Sequence, residues 1–166
     1  MQAITPFLWF DTQAEEAAER YVSVFAKLGR PGETRVRGVT RYGEAGPGTP
    51  GSAMTVQFVL DGQEFTALSG GPHHAFTEAT SFLVSRTTQD EVDHLWESLT
   101  EVGEESMCGW LKDRYGLSWQ IVPTALMELL SDPDPERSGR AMRAMLQMRK
   151  IDIAELRRAA EAPHGS

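Results

Sequence analysis

Two adjacent histidines, His73 and His74, are well suited to move a proton near neutral pH. They follow Gly70-Gly71-Pro72, a run that predicts the end of a strand and an exposed loop. One interpretation is that both side chains are simply solvated. The other is that His73 acts as a general base or forms a hydrogen bond to a substrate. Neighbouring side chains on an extended loop point apart, so the pair is not expected to chelate one ion.

The single thiol, Cys108, is the second residue that could do chemistry. A buried cysteine behaves as a small hydrophobic side chain, and this is one interpretation. A nucleophilic cysteine needs a positive neighbour or a histidine. Lys112 and Arg114 are close in sequence, but the alternation of a strand does not place either beside the sulfur. His73 and Cys108 are therefore candidate catalytic residues without an assigned role.

Three tryptophans fall on separate predicted strands, and each could be explained by core packing. Together they could equally line a pocket for a planar or apolar ligand, with nearby polar side chains as anchors. The predicted ligand-binding residues are Trp9, Ser69, His73, Trp110, Asp113, Trp119 and Gln120.

The elements that must position these residues begin with a strand at 4–10, a helix at 14–28 and three strands at 34–42, 53–60 and 63–69. Thr12 and Glu15 have the spacing of a helix capping box. Asp61-Gly62 predicts a tight hairpin turn between the last two strands. The arginines of the strand at 34–42 alternate along it, so they form a solvated face or bind an anionic group.

The same order of elements then recurs. A strand at 79–85 is followed by a second capping box, Thr88 with Glu91, and by an amphipathic helix. Two further strands are predicted at 106–112 and 117–122. The repeat is about 76 residues long, which exceeds the roughly 20–50 residues of a solenoid repeat. The sequence therefore predicts an α+β fold built from two βαβββ modules.

From Thr124 onward the sequence predicts helices, with an N-cap at Asp134 before a proline and another at Asp152. Met142, Met145 and Met148 share one helix face, which packs against the sheet or forms a dimer contact. We predict modules at about 1–72 and 73–123, a helical extension at 124–162 and a disordered tail at 163–166.

Composition excludes several functional classes. The chain has 24 acidic against 16 basic residues and a net charge of −8, which argues against binding to nucleic acid. No apolar run approaches the roughly 20 residues of a membrane span. One cysteine cannot form an internal disulfide, and the first ten residues lack the pattern of a signal peptide. A cytoplasmic location is therefore expected.

Three stretches resemble the PhnB-like (3-demethylubiquinone-9 3-methyltransferase domain) branch of the glyoxalase/bleomycin-resistance/dioxygenase superfamily, also called the vicinal oxygen chelate superfamily. They are ITPFLWFD at 4–11, GEESMCGW at 103–110 and GLSWQIVP at 116–123. The resemblance covers essentially the whole chain. It implies two βαβββ modules whose curved sheets enclose a cleft, a homodimer, and in most members a divalent metal held by His and Glu.

The resemblance places the metal-ligand positions near Pro6, Ala67, Thr80 and Gln120. Their neighbours are Phe7, Thr66, Leu68, Ser81 and Trp119. None of these is a histidine or a carboxylate, and one neutral amide oxygen does not hold a transition metal. Glu64 is the one carboxylate on the strand at 63–69, and it is expected to face outward. We therefore predict no metal and no cofactor.

The methyltransferase description of the branch implies a cofactor turn that this sequence lacks. Such a turn is rich in glycine and links a strand to a helix. The glycine-dense stretch at 43–51 is interrupted by Pro47 and Pro50 and leads into a strand.

Three functions follow from these observations. The first is metal-independent binding of a small apolar or aromatic molecule in the cleft, with an unassigned reaction. The second is a metal-dependent lyase, isomerase or dioxygenase of the glyoxalase type. The third is sequestration of a small molecule without chemistry, as in the drug-binding resistance proteins of the superfamily.

Overall fold

A computed structural model describes residues 2–29 and 32–162 of this chain and divides it into two units. The first unit ends at Phe76 and the second begins at Thr77, four residues after the predicted division. The predicted disordered tail at 163–166 lies outside the described residues. Within the described ranges, no helix is both long enough and apolar enough to cross a bilayer.

The first unit is a βαβββ module with a mixed four-stranded sheet. Its elements are β1 (Phe7–Phe10), α1 (Ala14–Ala26), β2 (Arg35–Arg41), β3 (Ala53–Leu60) and β4 (Gln63–Ser69). The strand order is β1-β4-β3-β2, and β1 runs parallel to β4 while the other pairs are antiparallel. The predicted hairpin turn is confirmed, because Asp61 and Gly62 have φ angles of 49° and 86°.

Helix α1 covers one face of this sheet, where it packs against β3 and β4. Apolar side chains of the strands, such as Val56, Phe58 and Ala67, are buried there. Side chains alternate along a strand, so Gln57 and Thr66 lie on the opposite face. We call the face that is not covered by α1 the helix-free face of the first sheet.

Helix α1 does not begin with the predicted capping box. Its N-cap residue is Gln13, which makes no side-chain cap. The Oγ of Ser69 at the end of β4 accepts the backbone N–H of Ala14 at 3.1 Å instead. The Thr12–Glu15 prediction is wrong because a buried serine from the sheet supplies the acceptor.

The second unit begins with a second βαβββ module. Its elements are β5 (Ser81–Val84), α2 (Gln89–Thr100), β6 (Glu104–Glu105), β7 (Trp110–Lys112) and β8 (Ser118–Ile121). The strand order is β5-β8-β7-β6, with β5 parallel to β8. The capping box of Thr88 and Glu91 is confirmed, and α2 packs against β7 and β8. The α+β fold of two such modules is therefore confirmed.

Three further helices follow, as predicted: α3 (Thr124–Leu130), α4 (Pro135–Met145) and α5 (Ile153–Glu161). Asp134 and Asp152 cap the second and third of them. The helices enclose an apolar cluster formed by Val122, Leu126, Ile151 and Leu156. Met145 and Met148 pack against this cluster, whereas Met142 is 41% exposed.

The segment between α4 and α5 is bonded to the second module at two places. The carbonyls of Met148 and Arg149 accept the N–H groups of Cys108 and Gly109 at 2.7 and 2.8 Å. The Gln89 side chain at the start of α2 donates to the Ile151 carbonyl at 3.0 Å and accepts the Ile153 N–H at 2.8 Å. The first pair of bonds holds the loop between β6 and β7 against the C-terminal segment, and the second pair holds the start of α2 against it.

Replacing Ile151 with Ala tests how much the packing of the C-terminal segment in the apolar cluster contributes to stability. Ile151 is fully buried in the apolar cluster, so Ile151→Ala should lower the free energy of unfolding by about 2–5 kcal/mol in urea titrations. Met142→Ala on the exposed side of α4 is the matched control, with an expected change of roughly 0.5 kcal/mol. Similar losses for both variants would contradict this role of Ile151.

Candidate functional site

A cavity of about 630 Å³ lies on the helix-free face of the first sheet. Its floor is a row of cross-strand neighbours, in which Phe7 pairs with Thr66, Thr66 with Gln57, and Gln57 with Gly38. A Cβ atom at Gly38 would lie 3.3 Å from the Gln57 Oε1 atom, so the glycine leaves that amide uncrowded. The row therefore combines one aromatic ring, one hydroxyl and one amide.

Charged side chains form one edge of this cavity. The Arg37 guanidinium is paired with Glu64 and, at 2.8 Å, with Glu33. Hydrogen bonds from Arg37 and Arg35 lower the pKa of Glu33 to about 2. The pKa of Glu64 is also lowered, first by the backbone N–H of Gln2, which lies 2.7 Å from its Oε2 atom. The charges of this edge are thus already compensated within the unit.

Glu64 corrects one expectation from the sequence. It was expected to face outward, yet it lines the cavity with Thr66, two residues further along β4. Its side chain is only 15% exposed because Arg37 lies over it. Sequence reasoning missed this pair because the two residues are 27 positions apart in the chain.

A second cavity of the first unit, about 750 Å³, contains two of the predicted site residues, Ser69 and His73. The Ser69 hydroxyl caps α1, and its carbonyl accepts the Tyr42 hydroxyl at 2.5 Å. The hydroxyl and the carbonyl of Ser69 are therefore both hydrogen-bonded within the first unit. His73 is exposed at the edge of the cavity, and its backbone N–H donates to the Gly71 carbonyl at 3.0 Å.

Trp9 holds the turn that follows β4. Its Nε1 donates to the Gly71 carbonyl at 2.8 Å, and a Cβ atom at Gly70 would meet its ring at 2.5 Å. The His74 ring packs edge-on against the indole, with 4.7 Å between the ring centroids. The structure thus brings Trp9, His73 and Ser69 to the same end of the first sheet.

Two predicted site residues of the second unit are buried and bonded to each other. Trp119 is 2% exposed, and its Nε1 donates to the Asp113 Oδ2 at 2.9 Å. The other carboxylate oxygen of Asp113 accepts the N–H groups of Tyr115 and Leu117 at 2.9 and 3.1 Å. Asp113 thereby organises the turn between β7 and β8, and we leave both residues out of the proposed ligand surface.

Trp110 and Gln120 lie on the face of the second sheet that α2 does not cover. Cross-strand pairing places Gln120 between Trp110 on β7 and Leu83 on β5. Both site residues are half-buried, and Gln120 Nε2 donates to the Ser81 Oγ at 2.9 Å. We call this the helix-free face of the second sheet.

Cys108 lies in the loop between β6 and β7, where it is half-buried. Its φ angle is 61°, in the left-handed region that residues other than glycine rarely adopt. Gly109 follows with a φ angle of 84°. The bonds of this loop to Met148 and Arg149 hold the conformation. The geometry shows a constrained position for Cys108 and gives no evidence of nucleophile activation.

The sequence and the fold are both similar to those of known proteins. The family model described as 3-demethylubiquinone-9 3-methyltransferase matches residues 2–122. The chain belongs to this family. The PhnB protein of Bacillus cereus is 35% identical, with a TM-score of 0.65, over 74% of this chain and 99% of that one. A search of curated proteins finds no significant match.

A second solved structure supports the fold of this family member. A protein from Pseudomonas aeruginosa is 20% identical, with a TM-score of 0.58, over 74% of this chain and 98% of that one. Helices α3 to α5 lie beyond the residues that the family model matches. The family match and the 35% identity to the PhnB protein confirm the resemblance to PhnB-like proteins.

The metal that this superfamily implies does not fit the residues present. Ala67, at the metal-ligand position expected on β4, is fully buried beneath α1. Its neighbours Thr66 and Leu68 lie on the helix-free face instead. In the second sheet, the Gln120 amide is bonded to Ser81. Within residues 2–29 and 32–162, no three His, Cys, Asp or Glu side chains are grouped to hold a metal ion. Hydroxyls and one amide are a poor donor set for a transition metal.

The methyl-donor cofactor suggested by the family's description does not fit either. The stretch at 43–51 joins two antiparallel strands, β2 and β3, whereas a nucleotide-binding turn joins a strand to a helix. Its glycines serve packing: Cβ atoms at Gly46 and Gly48 would approach the Tyr42 ring to 2.7 and 2.3 Å. The loop is thus folded closely against a buried tyrosine.

Asp113→Ala tests the structural assignment of this carboxylate. The variant leaves a buried indole N–H and two backbone N–H groups without their acceptor, so the free energy of unfolding should fall by about 2–3 kcal/mol. Asp11→Ala, at an exposed aspartate, is the control with an expected change of roughly 0.5 kcal/mol. Unchanged stability of Asp113→Ala in urea titrations would contradict the assignment and return Asp113 to the candidate ligand contacts.

Proposed function

We propose that this member of the 3-demethylubiquinone-9 3-methyltransferase family binds a small apolar or aromatic molecule on the helix-free face of the first sheet, without a metal. The observation that carries the proposal is the row of Phe7, Thr66, Gln57 and Gly38 beneath a cavity of about 630 Å³. A reaction stays unassigned.

The chemistry of the row favours a ring with one polar substituent. Phe7 is 59% exposed, so its ring is accessible to a ligand in this cavity. An aromatic contact with Phe7 contributes about 0.5–1.5 kcal/mol beyond the apolar area buried. The Thr66 hydroxyl and the Gln57 amide can each form a hydrogen bond with a hydroxyl or carbonyl of the ligand.

A single sheet face covers only one side of a flat ligand, whereas tight sites bury roughly 70–90% of the ligand surface. Weak binding is therefore expected from this face alone. We also propose the homodimer that the resemblance implies, supported by the exposed Val39 and Leu83. Sedimentation equilibrium would then give twice the chain mass, and a monomer mass would contradict it.

Titration with phenol, an aromatic ring with one hydroxyl, tests the proposed ligand class. Saturation-transfer difference NMR should detect phenol on the wild-type chain. Phe7→Ala should weaken binding by about tenfold, because the ring contact and its buried area together supply about 1.4 kcal/mol. The control is Ile4→Ala, since Ile4 is 88% exposed and does not line the cavity.

The outcomes separate the candidate functions. No saturable binding, or equal losses in both variants, would contradict the proposed surface. If a ligand that co-purifies with the native chain is recovered unchanged after incubation, sequestration is favoured. Recovery of a converted product would show that the chain is an enzyme.

A further inference from the structure

A smaller cavity, of about 180 Å³, lies on the second sheet at the edge formed by β6 and β7. Cross-strand pairing places Glu104 beside Lys112, and Lys112 beside Ser118. Trp110, two residues before Lys112 on β7, also lines the cavity. This site lies in the second unit and does not depend on the phenol site proposed for the first.

The hydroxyl of Ser118 is the first sign that the cavity takes a ligand. Ser118 is fully buried, and its Oγ has no hydrogen-bond partner among the residues that the structure describes. Buried polar groups almost always have a partner, so an exception marks a place where a donor or acceptor from outside the chain fits.

The charges around the cavity determine the sign of that ligand. Lys112 is paired with Glu78, and this bond lowers the pKa of the glutamate. The Glu105 carboxylate also lines the cavity, but it accepts the Trp96 Nε1–H at 2.6 Å and is paired with Arg149 at 3.7 Å. The pKa of Lys112 is raised, first by its hydrogen bond to Glu78 and last by the charge of Glu104, which forms no ion pair with another described residue. Two carboxylates around one ammonium leave a net negative charge.

We propose that this cavity binds a primary ammonium group, either a compact amine or the amine end of a larger molecule. The Glu104 carboxylate compensates the charge, the Ser118 hydroxyl accepts one N–H, and the Trp110 ring provides a cation–π contact. An anionic ligand is disfavoured because Lys112 already has Glu78 as its partner and Glu104 beside it. A quaternary ammonium lacks the N–H that Ser118 accepts.

Three probes of similar size test the proposal: n-propylammonium, tetramethylammonium and propionate. The readout is the NMR shift of the Trp110 indole N–H, assigned with Trp110→Phe, at constant ionic strength so that screening does not vary. We expect saturable millimolar binding of n-propylammonium and affinity at least about tenfold lower for the quaternary ion, which loses a charge-assisted hydrogen bond. Propionate should produce no saturable shift.

Variants identify the groups responsible. Ser118→Ala removes a hydroxyl that has no partner within the described chain, so it should fold normally, weaken n-propylammonium binding about tenfold and abolish the preference over the quaternary ion. Glu104→Gln should also weaken binding of both ammonium ions. Glu97→Gln, at an exposed position of α2, makes the same charge change away from the cavity and should have no effect.

Four results would overturn the proposal, and the first three concern ammonium binding. They are the absence of saturable n-propylammonium binding, an unchanged preference in Ser118→Ala, and equal weakening by Glu104→Gln and Glu97→Gln. Saturable propionate binding that is lost in Lys112→Met would also overturn it, since that result would show an anion site.

Discussion

In each unit one helix covers one face of a four-stranded sheet, and this constraint decides which side chains can meet a ligand. Residues beneath α1 or α2 are committed to the core, as Ala67 and Trp119 show. Their immediate neighbours on the same strands, Thr66 and Gln120, lie on the helix-free faces because side chains alternate. The candidate functional residues are therefore those one position away from the core residues.

The same constraint accounts for the structural use of residues that look reactive. Ser69 ends β4 at the point where α1 begins, so its hydroxyl caps the helix. Asp113 directly follows β7 and is buried, and its carboxylate accepts the indole N–H of Trp119 and two backbone N–H groups of the turn that follows. A polar residue at a strand end beneath a helix is needed there because buried backbone and indole N–H groups require an acceptor.

Much of the fold could be predicted because its signals are local. The bounds of β3 and β4 follow from alternation and from the Asp61-Gly62 turn between them. The α2 capping box lies within four consecutive residues, and it was also predicted correctly. The start of α1 was not predicted correctly, because the hydroxyl that accepts the Ala14 N–H belongs to Ser69, 55 residues away. The short β6 has only two residues, too few for a period to be detected.

Less of the candidate site could be predicted. Trp119 and Gln120 were both expected at the ligand, although adjacent residues of one strand face opposite sides and only one of them can do so. Gly38 carried a usable signal, since a glycine within an alternating strand indicates a bulge or open space. The Arg37–Glu64 pair had no signal in the sequence, because the strand register that brings the two residues together depends on the whole sheet.

The central claim is that the helix-free face of the first sheet binds its ligand without a metal, although the sequence resemblance implies one. Metal analysis of the chain purified without chelator, by inductively coupled plasma mass spectrometry, tests it most directly. We predict well below one ion per chain, roughly 0.1 or less, for every transition metal, because the donor set of hydroxyls and one amide is too weak. About one tightly held ion per chain would contradict this account.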